Sequence, residues 1–129
     1  MPSSAHEFSK IWKKLPKTTA DRYDFLLTVG SQRLRQIFRN EISFGLLGEI
    51  MSVLCSNYVE KDGTQLVAML QALSTAQRFN LSLQFLDESE RHACSQLLQR
   101  LHETFISRAD EVSQDTVDVV NGLMSVYSV

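Results

Sequence analysis

Proline occurs twice and glycine five times in 129 residues. So little turn punctuation argues against many short strands and favours helices. There are two cysteines, Cys55 and Cys94, too few for a disulfide framework. Cys55 sits in an apolar run and reads as a small core residue. A reducing, intracellular setting is therefore expected. No apolar stretch approaches the ~18 residues of a membrane span, and no signal-peptide pattern opens the chain. No block of like charge is dense enough to suggest nucleic acid. The opening MPSSAHEF reads as a boundary, with more chain expected upstream.

The motifs of common chemistries are also missing. There is no HExxH, no CxxC pair, no GxSxG and no phosphate loop. GLLGE, residues 45–49, has two glycines but no lysine after them. The histidines are His6, His92 and His102. On a helix His92 and Cys94, two apart, point about 200° from each other and cannot share a metal. Glu88 and Glu90 read as a charged helix start rather than a catalytic pair. No acid, base and nucleophile cluster emerges. The expectation is a non-enzyme with no metal and no cofactor, which leaves protein recognition.

What is present suits one globular domain. Hydrophobic residues make up 43% and charged residues 22%, ordinary values. The length is enough for a core without staples. The net charge of −2 hides an asymmetry. Residues 1–40 carry eight Lys and Arg against three Asp and Glu; residues 41–129 carry five against twelve. Two solvated faces would account for this. A partner oriented by charge, or head-to-tail self-association, is the alternative.

Helical periodicity recurs along the chain. Ser4-Ala-His-Glu7 is a capping box. Phe8, Ile11, Trp12 and Leu15 follow as an inward stripe, with Lys10, Lys13, Lys14 and Lys17 mostly on the other side and Pro16 as the stop. Thr18 or Thr19 can cap a second helix carrying Tyr23, Leu26 and Leu27, ended by Gly30. Ser31 is expected to cap a third, with Leu34, Ile37 and Phe38 inward and Arg33, Arg35 and Arg39 outward. Residues 43–60 are the most apolar segment, with Phe44, Leu47, Ile50, Met51, Leu54 and Tyr58 in one stripe. Gly45 and Gly48 fall inside it, where each costs about 1 kcal/mol relative to Ala. Close approach of a neighbouring helix is their expected use. Asp62-Gly63 is a turn signal. A fifth helix, about 64–77, buries Leu66, Met69, Leu70 and Leu73. Asp87-Glu-Ser-Glu90 caps a long helix that buries Cys94, Leu97, Leu98, Leu101 and Phe105. The domain is expected to span residues 4–108. Residues 109–115 then loosen the chain. The tail, VDVVNGLMSVYSV, is too apolar to stay loose and docks on the bundle or in a neighbour's groove.

RFNLSLQFLDESE, residues 78–90, breaks the pattern. Its apolar and polar residues alternate, as in a half-buried strand. No partner strand exists elsewhere, and a lone buried strand leaves its ladder groups unpaired. A helix over about 80–86 is expected instead. Phe79, Leu83 and Leu86 then form one stripe; Arg78, Leu81 and Phe85 form another. The fold class is all-α, a compact bundle of about six to eight short helices without a sheet.

The order of segments resembles a known family. FSKIWKKL, then YDFLLTVGSQRLRQIFRNEISFGLLGEIMSVL, then LQALSTAQRFNLSLQFLDESER are similar to the C-terminal domain of RNA polymerase II-associated protein three. The shared features are Phe8, Trp12 and Leu15; the Leu34 to Arg39 run; and Leu70 to Phe79 followed by Phe85 and Leu86. They cover about residues 7 to 101. Within the family, WKKLPKTTADRYDFLL and SFGLLGE look most like a coiled-coil member that assembles axonemal dynein arms. The resemblance implies a helical bundle that docks RuvB-like AAA-ATPases, in a co-chaperone assembly tied to the ninety-kilodalton heat-shock chaperone. It implies dynein arm components as clients, a cytoplasmic and ciliary location, and a coiled coil upstream. It places the docking surface on Arg78, Leu81 and Phe85. Gln84 is expected on the same surface, at a position where the resemblance implies an apolar residue.

Two readings of that stripe follow. Leu81 and Phe85 are either apolar anchors for a partner, with Arg78 beside them, or core residues of a helix buried on both sides. A different reading is a structural, self-associating or microtubule-binding adaptor of the axoneme. Lys10, Lys13, Lys14, Lys17, Arg33, Arg35 and Arg39 would then meet acidic tubulin tails, weakly at high salt. A plain solvated basic face accounts for the same residues.

Overall fold

The first helix, α1 (Ala5–Lys14), forms half of its expected capping box: the Ser4 hydroxyl accepts from the Glu7 amide at 3.2 Å, while the Glu7 carboxylate accepts from the Ser3 amide and hydroxyl instead of the Ser4 amide. Phe8 and Trp12 are buried. Ile11, expected beside them, lies at the margin of the stripe and is exposed. The computed structural model describes residues 2–16, 20–107 and 114–127. Lys17, the Thr18 or Thr19 cap and residues 109–113 of the expected 109–115 loosening lie outside the described residues; its last two positions, 114 and 115, are helical.

Gly30, at φ +81°, joins α2 (Ala20–Val29) to α3 (Ser31–Ile37). Its amide donates to Leu26 O and its carbonyl accepts from the Leu34 amide, both at 3.0 Å. Gly30 therefore closes one helix and caps the next; Ser31 is the first helical residue, not the cap. After α4 (Leu46–Asn57) comes one 3-10 turn, Glu60–Asp62. The expected turn falls at Asp62, which ends this 3-10 stretch, and Gly63, at φ −52°, caps it and opens α5 (Gly63–Ser74). Its use is steric, because an added Cβ would sit 3.3 Å from the Tyr58 hydroxyl and 3.4 Å from the Phe105 ring. Then come α6 (Phe79–Gln84), α7 (Glu88–Ser107) and α8 (Gln114–Val126). Among the described residues there are eight α-helices and no strand.

The bundle is built on pairs: α4 along α7, α3 against α5, α2 against α4, and α8 across α7 and α5. The core runs through Phe8, Leu26, Leu34, Ile50, Leu66 and Leu97. Val120, Leu123 and Tyr127 of the C-terminal segment belong to the same buried cluster, and the Tyr127 hydroxyl donates to Leu70 O at 2.7 Å.

One polar cluster lies inside. Arg22 is 2% exposed, its guanidinium 4.3 Å from the centre of the Trp12 ring. It bonds Glu49 Oε1 at 3.2 Å and Trp12 O at 2.8 Å, while Trp12 Nε1 donates to the same Glu49 oxygen at 3.3 Å. A buried cation needs such partners. These bonds tie α1, α2 and α4 together.

Burial also sets a pH response. Burial pushes the Cys94 thiol up to about 12, with Cys55 adding to the shift. The Tyr127 phenol is raised by burial and secondarily by Cys94. The Tyr23 phenol is raised by burial and by its bond to Asp62, at 2.8 Å. In the unfolded chain a thiol titrates near ~8.5 and a phenol near ~10. Above those values the unfolded chain binds fewer protons than the folded one, so stability falls as pH rises. Denaturant midpoints should therefore hold steady from neutrality to about pH 8 and drop toward pH 11. Cys94→Ala should remove the earliest part of that fall.

Candidate protein-docking site

The α6 segment is a helix of six residues, too short to hold its shape alone. It is pinned from three sides. Phe79, Leu83 and Leu86 are buried, as the first stripe requires. Arg91, one turn into α7, donates to the carbonyls of Leu86, Leu83 and Gln84 at 3.2–3.4 Å and so satisfies the end of α6. The α7 start is itself fixed by the reciprocal capping box: Glu90 N to Asp87 Oδ1 at 2.8 Å, and Asp87 N to Glu90 Oε1 at 3.0 Å. Gly48 of α4 lies against the Glu90 carboxylate, where a Cβ would collide. What meets Gly48 is the end of the flexible Glu90 side chain from α7.

The second stripe faces outward. Leu81 is 46% and Phe85 52% exposed. The alternative, a helix buried on both sides, does not hold for these two residues. They line a cavity of about 130 Å³ together with Arg78. Arg78 is the sole non-glycine residue at positive φ among the described residues, at +61°. Its carbonyl accepts from the amides of Leu81 and Ser82, so this left-handed residue starts α6. Such a backbone costs an L-residue about 1–2 kcal/mol, and strain of this kind collects at binding sites. Asn tolerates the conformation better. Arg78→Asn should therefore raise stability by about 0.5 kcal/mol, read from a denaturant melt, while removing the guanidinium. A loss of stability would show that the Arg78 side chain holds the fold.

Two features of the site depart from the sequence expectations. Gln84 does not join the set; it lies beside Asn80, Arg91 and Tyr127 on a different and larger cleft of about 590 Å³. Phe44, expected in the α4 stripe, is 81% exposed. The reason is Gly45, which adopts φ +80° and caps α4, so the helix starts at Leu46 and Phe44 sits in the preceding turn. Open space surrounds the Gly45 Cβ position, so this glycine serves the turn and not a close approach. Released from the helix, Phe44 packs edge-on against Phe85, ring centres 4.8 Å apart, and lines the same cavity. A glycine right after Phe44 was the sequence signal for this.

The basic residues do not form part of the site. Lys10, Lys13, Lys14, Arg35 and Arg39 are exposed on α1 and around α3. Arg33 is partly buried and donates to Pro2 O at 3.3 Å. No group of three His, Cys, Asp or Glu among the described residues is placed to hold a metal. No helix of the described residues is long and apolar enough to cross a membrane.

Comparison with known proteins gives this surface a family context. Residues 1–91 match the family model RPAP3_C, described as the potential Monad-binding region of RPAP3. Dynein axonemal assembly factor 19 of Mus musculus is 33% identical over 107 residues, covering 83% of this chain and 45% of that protein. The protein of the same name from Xenopus tropicalis is 31% identical over 128 residues, covering 99% and 56%. The chain thus spans about half the length of the curated relatives it matches. In fold it is similar to the solution structure of the C-terminal domain of human RPAP3, with a TM-score of 0.78 and 18% identity over 98% of this chain and 88% of that one. With that model matching well over half of its length, the chain belongs to the RPAP3_C family.

Proposed function

We propose that this chain is a non-enzymatic docking module that recruits RuvB-like AAA-ATPases, or a related co-chaperone, to the cytoplasmic preassembly of axonemal dynein arms. The observation that carries the reading is the outward stripe of α6. Leu81 and Phe85 stand half exposed on a helix whose opposite side is anchored in the core. Single exposed apolar residues are ordinary, but a clustered set beside an arginine has the composition of an interface hot spot. Relatives named for dynein assembly point to the process. The relation to the RPAP3 domain points to protein binding as the means. Cytoplasm and cilium are the corresponding locations.

Affinity capture from ciliated cells tests it, with the bound proteins read by mass spectrometry. The wild-type domain should recover RuvB-like ATPases and dynein arm components. Phe85→Ala should recover at least about tenfold less ATPase, as removal of a central aromatic anchor does. Equal recovery by the two would refute the site; absence of the ATPases from the wild-type capture would refute the partner.

A further inference from the structure

Three large apolar side chains from two separate elements, Phe44 before α4 and Leu81 and Phe85 around α6, converge on one small cavity. Its volume, about 130 Å³, suits a single side chain: an apolar cavity of about 150 Å³ takes up one benzene. The polar surroundings are selective. Gly45 caps α4 without a side-chain acceptor, and Gly45, Leu47 and Gly48 line the cavity. The positive end of a twelve-residue helix is therefore turned to it. The Arg78 guanidinium, on the same lining, has no hydrogen bond or ion pair among the described residues. Glu41 also lines the cavity and opposes a large negative charge. The Glu90 carboxylate behind Gly48 is engaged by the Asp87 amide.

We propose that the cavity takes one apolar side chain of a partner segment whose neighbouring residue is acidic, with Phe44 and Phe85 flanking the apolar group. The carboxylate sits between Arg78 and the start of α4. Glu41 limits the preference to one acidic neighbour rather than a polyacidic run. The inference rests on reading the Leu81–Phe85 face as a docking site, and it makes Phe44 a specificity residue of that site.

Fluorescence anisotropy with short labelled Gly/Ser peptides tests it. One peptide carries a Glu-Leu pair; its twins carry Lys-Leu or Glu-Ala. The Glu-Leu peptide should bind the chain at least about tenfold more tightly than either twin. Phe44→Ala and Arg78→Gln should each weaken it several-fold, and Glu41→Gln should tighten it. All three side chains are exposed, so circular dichroism melts should stay close to wild type. Equal binding of the Glu and Lys peptides, no effect of Phe44→Ala, or no saturable binding of any peptide would overturn the proposal. A parallel capture of RuvB-like ATPases separates the two readings. Capture lost in Phe85→Ala but kept in Phe44→Ala overturns this inference and leaves the docking role. The expected peptide pattern without any ATPase capture supports this inference and overturns that partner.

Discussion

Phe79→Ala is expected to lower stability by about 3–5 kcal/mol, whereas Phe85→Ala, six positions on, should cost less than about 1.5 kcal/mol. Both residues are phenylalanines at the ends of the same short helix. Phe79 is buried, and its ring meets the Tyr127 ring edge-on with centres 5.0 Å apart. Truncating it opens a cavity between α6 and the C-terminal segment and removes an aromatic pair worth about 0.5–1.5 kcal/mol beyond its area. Phe85 leaves half of its surface in water and has Phe44, itself exposed, as its aromatic neighbour. Little packing is lost with it. In a thermal melt the Phe79 variant should fall by at least about 10 °C and the Phe85 variant by a few degrees. Partner capture should fail in both, for different reasons: unfolding in the first, loss of an anchor in the second. A Phe85→Ala protein that melts as low as Phe79→Ala would mean that Phe85 is a structural residue, and the docking role of α6 would lose its basis.

The contrast exposes how the site is made. A six-residue helix has too few internal bonds to persist in water. Its conformation comes from the buried stripe, from the left-handed Arg78 that begins it and from the three carbonyls taken up by Arg91. The buried stripe lies on the side opposite Leu81 and Phe85, while Arg78 and Arg91 fix the two ends of the helix. The exposed stripe is thereby presented on a rigid base, which lowers the ordering cost of binding.

Much of this was legible in the sequence because it depends on short-range rules. The helix caps at Ser4 and Asp87, the inward stripes of α5 and α7, and the two-sided nature of residues 79–86 all follow from spacing within one or two turns. What was hidden depended on tertiary context or on a single backbone angle. Gly45 adopts positive φ, and that one dihedral moves Phe44 from the expected core stripe to the surface. Gly63 leaves room for the Tyr58 hydroxyl and the Phe105 ring, and Phe105 comes from a part of the chain far from it. Arg22 carries no sequence mark of burial; its cover is the Trp12 ring from one helix and Glu49 from another. Gln84 shares a six-residue helix with Leu81, yet the turn of that helix sends it to a different cleft.

Removal of the C-terminal segment from Gln114 onward is expected to be the most damaging single deletion. The RPAP3_C match ends at residue 91, so α8 and all but the first turn of α7 lie beyond it. Yet Val120, Leu123 and Tyr127 are buried, and α8 rests on α7 and α5. Each such side chain contributes about 1.5–3 kcal/mol on burial, offset in part by the entropy of ordering the helix. The deletion also takes away the Tyr127 ring from Phe79 and its hydroxyl from Leu70 O. Phe79 is one of the three anchors of α6, so the loss reaches the docking site from behind. The shortened chain should lose at least about 2 kcal/mol in denaturant unfolding. It should also self-associate through the newly bared apolar face, a change visible in size-exclusion chromatography with light scattering. Tyr127→Phe, which keeps the ring and removes the hydroxyl, should cost about 1 kcal/mol and leave the chain monodisperse. A deletion that leaves both the melt and the oligomeric state unchanged would show that α8 is an appendage to the bundle, and the domain would then end with α7.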